Sequence, residues 1–128
     1  MGLDMYLFSA KKLRAVKGDP GAVKVDGRSK APVEIAYWRK HPDLHGLMED
    51  IYQGKDGTAE DFNCVGVELT KDDIDYIISV IDLGELPDTQ GFFFGDSDGL
   101  EKEHDLDVFK RALEIVKSGE HVYYDSWW

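Results

Sequence analysis

The sequence contains a single cysteine, Cys64, so no internal disulfide can form. A lone thiol suits a reducing compartment. No apolar run approaches the roughly 20 residues of a membrane span. The opening Met1-Gly2-Leu3-Asp4-Met5 places an acid where a secretory signal carries its basic region. Tyr6 stands where a myristoylation motif needs Ser or Thr. These absences together imply an unanchored cytoplasmic protein. Neither GxxxxGK(S/T) nor GxGxxG is present, which excludes the two commonest phosphate-binding loops.

Cations are scarce after residue 40. Residues 1–40 hold nine Lys and Arg against four acids, a net +5, so the remaining residues carry −16 of the total −11. Duplex DNA and anionic membranes repel such a chain, because their binders neutralise phosphate with Lys and Arg. The asymmetry can orient a partner or hold a local anion. At 128 residues, 42% of them hydrophobic and 12% aromatic, the chain is long enough to bury one core unaided.

Weak alternation from Leu3 to Phe8 predicts a first strand, and Pro32–Trp38 a second. Residues 9–31, rich in Lys, Gly, Asp and Pro, read as a long loop or loose hairpin, the segment expected to be most mobile. Leu44, Leu47, Met48 and Ile51 have the spacing of a helical apolar face, as do Ile74, Ile77, Ile78 and Ile81. Thr70 is a natural N-cap for the second helix and Gly84 a stop. Leu106, Phe109, Leu113 and Val116 mark a third. Phe62–Leu69 reads as a strand with Phe62, Cys64 and Val67 as candidates for burial, and His121–Trp128 as the last strand. With no regular βαβ repeat and no linker, the expectation is one α+β domain over 1–128. It comprises a largely antiparallel sheet of about four or five strands packed with three amphipathic helices.

The densest cluster of chemistry is Tyr37-Trp38-Arg39-Lys40-His41-Pro42-Asp43-Leu44-His45, where a strand hands over to a helix. Arg39 and Lys40 suit phosphate or carboxylate, and Trp38 offers a face for stacking. Pro42 and Asp43 look like the first helical positions, which puts His41 at the cap and separates it from His45. Cys64 would need a base such as His45 to act as a nucleophile. No metal site is expected. Asp96, Asp98, Glu101, Glu103, His104, Asp105 and Asp107 fail the calcium-loop pattern and read instead as a negatively charged first turn of the third helix. The run Phe92-Phe93-Phe94 between Gly91 and Gly95 is too apolar for an ordinary loop, so it must pack on another layer or line a pocket.

The motifs MGLDMYL, YWRK followed by His45, Asn63-Cys64 and GFFFG occur in this order along nearly the whole chain. In this the sequence resembles a family of small phage and prophage proteins. It departs from that pattern at Pro87-Asp88-Thr89-Gln90-Gly91, which lacks a serine before the first glycine. The family brings no activity with it; the resemblance implies a product acting inside an infected bacterium. Its motif residues coincide with the clusters above, which favours a shared pocket.

The leading expectation is a non-catalytic binding protein, without cofactor, for a small anionic or nucleotide-like ligand. Trp38 or Phe93 stacks on a planar group, Arg39, Lys40 and His45 hold an anion, and Asn63, Thr89 and Gln90 add neutral hydrogen bonds. The second is an acidic inhibitor of a host nucleic-acid-binding enzyme, imitating phosphate charge. The third is a hydrolase using Cys64 or the histidines, for which no complete nucleophile–base–orienter signature is present.

Overall fold

Alternation from Asp4 to Phe8 gives β1 (Asp4–Ala10) one covered side: Met5 and Leu7 point to one side, Asp4, Tyr6 and Phe8 to the other. The computed structural model describes residues 2–28, 30–39, 41–87 and 102–128. β1 continues into the hairpin β2 (Leu13–Val16) and β3 (Asp19–Val25), then β4 (Val33–Arg39) and α1 (Pro42–Gly54). β5 (Val67–Leu69), α2 (Lys71–Asp82), α3 (Lys102–Lys117) and β6 (His121–Trp127) complete the order. The main sheet runs β4-β1-β6-β5, and every pairing in it is antiparallel. One core takes side chains from β1, β3, β4, β5, β6 and all three helices, so the chain forms a single α+β domain.

The helices cover one face of the sheet. α1 opens on Pro42 at its first position, with His41 at the cap. It buries Leu44, Leu47, Met48 and Ile51, the face its spacing predicts. α2 starts with a full capping box, in which Thr70 Oγ1 accepts from Asp73 N and the Asp73 carboxylate accepts from Thr70 N. It stops at Asp82, and Gly84 N donates back to Ile81 O at 3.1 Å. α3 is rotated from expectation. Its fully buried residues are Asp105, Val108, Phe109 and Ala112, while Leu106, Leu113 and Val116 lie at the margin of the core. The expected face missed this because it followed the largest aliphatics and treated Asp105 as a solvated first-turn acid.

Two further expectations change in detail. Of the two alternatives expected for residues 9–31, the structure forms the hairpin, and holds it more firmly than expected. β1 runs on to Ala10, and β2 and β3 meet through a two-residue turn, Lys17-Gly18, where Gly18 takes φ 82°. The hairpin is fastened to the main sheet by an isolated bridge in which Val23 N donates to Gly66 O at 2.8 Å. The expected strand over 62–69 is regular only at Val67–Leu69. Upstream, Cys64 adopts φ 60°, which breaks an extended run, and its side chain is exposed where burial was expected. Phe62 and Val67 are buried.

Candidate functional site

Trp38 and Arg39 are neighbours in β4 and therefore stand on opposite faces of the sheet. On the covered face, Trp38 is 4% exposed and one side of its indole stacks on Phe109, with ring centroids 5.9 Å apart. Its Nε1 donates to Asp105 Oδ1 at 2.7 Å, and the other carboxylate oxygen lies 2.7 Å from His41 Nε2. Asp105 is 1% exposed and His41 3%. The cap position of α1 thus sends its imidazole to the first turn of α3, and its side chain makes no cap bond within its own helix. This triad joins β4, α1 and α3.

His45, one turn further along α1, turns to another partner. Its Nδ1 is 2.6 Å from the hydroxyl of Tyr124 on β6, and its ring packs against Phe62 at 5.0 Å. Burial lowers the His45 pKa to about 4 and raises that of Tyr124, so the pair is neutral at physiological pH. A neutral, buried His45 does not contribute a cation to a surface.

Asn63 serves the chain end. Its side chain donates to Trp128 O and accepts from Trp128 N, both at 2.9 Å, and the Trp128 indole donates to Phe62 O at 3.0 Å. Cys64 Sγ lies 3.5 Å from Asn63 Oδ1. Among the described residues no histidine is hydrogen-bonded to the thiol, so the nucleophile–base arrangement of a cysteine hydrolase is not assembled. Lys40, Thr89, Gln90 and Phe93, with Phe92, Phe94, Asp96, Asp98 and Glu101, lie outside the described residues. Among those described, no three His, Cys, Asp or Glu side chains group as a metal site, and no helix is long and apolar enough to cross a membrane.

Arg39 emerges on the outer face, away from the helices. There the register lines up Arg39, Asp4 and Trp127 in one row, and Tyr37, Tyr6 and Asp125 in the next. Glu34, Phe8, Tyr123 and Glu68 make the third. The rings form a continuous strip: Tyr37 to Tyr6 at 5.2 Å, Tyr6 to Phe8 at 5.7 Å, Phe8 to Tyr123 at 5.2 Å. Tyr37 is 44% exposed and Trp127 67%. Four carboxylates border the strip, Asp4, Glu34, Glu68 and Asp125. Tyr37 donates to Asp4 at 2.5 Å, and this bond raises the phenol's pKa. Burial raises the Asp125 carboxyl and, with Asp125 adding to it, pushes Tyr123 up to about 12. Glu68 lies 2.8 Å from His121.

The hairpin roofs the Tyr123 end of this face. Between it and the sheet is a cavity of about 320 Å³ bordered by Val16, Val23, Val25, Cys64, Tyr123 and Asp125. Asp19 holds the hairpin in place. Its carboxylate accepts from Gly21 N at 3.1 Å, Thr58 N at 3.2 Å and the hydroxyl of Tyr52, which itself accepts from Ala59 N at 2.8 Å. Gly57 lies against that tyrosine so closely that a Cβ there would come within 2.3 Å of the ring. Because both sides of the Tyr52 hydroxyl are bound, the ring has little freedom to move aside. Gly57→Ala is therefore expected to cost about 1–3 kcal/mol, measured by urea denaturation. An unchanged midpoint would show that the hairpin anchor yields.

Asp19 and Tyr124 were not among the residues singled out, and Asp105 was read only as an acid of the charged first turn. One signal for Asp105 was available: with Val108, Phe109 and Ala112 it completes an i, i+3, i+4, i+7 stripe, so a carboxylate heads an apolar face. Comparison with known protein families, curated proteins and solved structures finds no match.

Proposed function

We propose that the protein is a non-catalytic binding protein whose working surface is the outer face of the sheet, and that its partner is a positively charged segment of another protein. The observation that carries this reading is the strip Tyr37–Tyr6–Phe8 with Trp127, bordered by four carboxylates and, among the described residues of these rows, by one arginine, Arg39. Aromatic faces attract guanidinium and ammonium groups, and neighbouring carboxylates pair with them. Exposed Tyr and Trp are also the side chains that most often dominate a protein interface.

The resemblance to phage and prophage proteins fits this reading, since an acidic protein made in an infected bacterium can engage a basic host protein. The anionic-ligand reading is supported less well. Arg39 has Asp4 directly opposite, and Trp38 and His45 are committed to buried partners.

Fluorescence titration separates the two readings. A short arginine-rich peptide should bind at low salt and weaken as salt screens the carboxylates. A glutamate-rich peptide of equal length should not bind. Tyr37→Ala and Trp127→Ala should each weaken the arginine-rich peptide at least about tenfold, roughly 1.4 kcal/mol. Absence of peptide binding overturns the proposal. So does ATP binding that Arg39→Ala abolishes, which would restore the anionic ligand.

A further inference from the structure

The hairpin places two cations directly opposite one another: Arg14 on β2 is the register partner of Lys24 on β3. Directly opposed residues in an antiparallel pair have Cβ atoms about 4.5–5.5 Å apart, and like charges there destabilise the pairing. Both side chains are exposed, whereas their neighbours Leu13, Val23 and Val25 are half-buried on the side facing the protein. Lys12, two residues before Arg14 and also exposed, shares the outward face. The Arg14 and Lys24 side chains make no salt bridge to any described residue, although the sequence has 26 acids. Lys11, by contrast, lies 3.4 Å from Glu120. The acid at the open end of the face, Asp26, has one carboxylate oxygen bound by Arg28 N at 3.0 Å.

The cations are also held on a firm support. The Asp19 network fixes the hairpin to the end of α1, and the Val23–Gly66 bridge fixes it to the sheet. A ligand meeting Arg14, Lys24 and Lys12 need not order the backbone first, which preserves affinity.

We propose that the outward face of the hairpin, through Arg14, Lys24 and Lys12, is a binding site for a phosphate chain. A linear polyanion relieves the cross-strand repulsion, and Arg14 presents the fork that pairs with phosphate oxygens. The large negative charge of the rest of the chain disfavours a long duplex, so the site suits a small phosphate ligand over nucleic acid. Lys24 also borders the cavity beneath the hairpin, where Tyr123 lies. This site is separate from the outer-face reading and stands or falls alone.

The test is calorimetric titration of the full chain with inorganic tripolyphosphate and with ATP at low salt. Equal affinities mean that the site reads the phosphate chain only, and tighter ATP means that it also contacts the nucleoside; both outcomes support the site. In either case Arg14→Thr/Lys24→Thr should weaken binding at least about tenfold, while Lys71→Gln on α2 should leave it unchanged. The same double substitution should raise the thermal midpoint, because it removes opposed like charges and adds strand-forming side chains. A merely structural role for the two cations predicts the opposite shift. Peptide binding on the outer face should survive the double substitution, which keeps the two readings distinguishable. Absence of tripolyphosphate binding, or binding unaffected by the double substitution, overturns the proposal.

Discussion

Asp105→Ala is expected to lower the unfolding free energy by about 3–5 kcal/mol, the largest effect of any single change considered. The carboxylate is 1% exposed and satisfies Trp38 Nε1 and His41 Nε2 at once, each at 2.7 Å. Removing it takes from a buried indole N–H and a buried imidazole the carboxylate they share, and buried polar groups that lose a hydrogen bond are costly. It also loosens the contact between the start of α1 and the start of α3, which this triad joins. Asp105→Asn keeps one carbonyl oxygen for the indole and should cost less, about 1–2 kcal/mol. Urea denaturation followed by far-UV circular dichroism measures both. A loss below about 1 kcal/mol for Asp105→Ala would mean that the carboxylate is hydrated in solution and that the triad does not hold the helices.

Acid should destabilise the protein through His45. The folded-state pKa is about 4 because burial disfavours the imidazolium, against an ordinary value of 6.5. The unfolded chain therefore takes up a proton as pH falls below about 6.5, and the folded chain does not until about pH 4. Stability attributable to His45 is complete above the unfolded pKa and is lost as pH falls through that window. The total approaches about 3 kcal/mol.

Carboxyl groups add contributions of both signs on the acid side. Asp73 is held low by Lys55 and Thr70, which outweigh its desolvation, and so adds to the acid loss. Asp125 is raised by burial and opposes it. The informative quantity is thus the difference from His45→Gln, which keeps a hydrogen-bonding partner for Tyr124 and cannot be protonated. Its stability should fall more gently than the parent's between pH 6.5 and 4. Parallel curves would show that His45 reaches solvent when charged.

Much of the architecture was legible in the sequence because it follows local rules. The i, i+3, i+4, i+7 spacing at Leu44–Ile51 and Ile74–Ile81 commits those segments to one apolar face, and Thr70 with Asp73 closes the cap by itself. Alternation around Met5 and Leu7 commits β1 to a sheet with one covered side. The third helix was legible in place but not in rotation. Hydrophobicity ranks Asp105 as a surface residue, and only the arrival of Trp38 and His41 from other elements makes its burial affordable.

The functional clusters were legible as residue types but not as places in the fold. Trp38, Arg39, His45 and Asn63 are close in sequence type, but strand alternation sends Trp38 and Arg39 to opposite faces. His45 finds Tyr124, distant in sequence, and Asn63 finds the chain end. The sequence by itself determined an acidic α+β chain with a cation-rich beginning, since composition and periodicity are properties of neighbouring residues. Only the tertiary structure decided that the aromatic strip, its four carboxylates and the opposed Arg14–Lys24 pair lie on surfaces, because strand order and register are set by which distant segments bury each other.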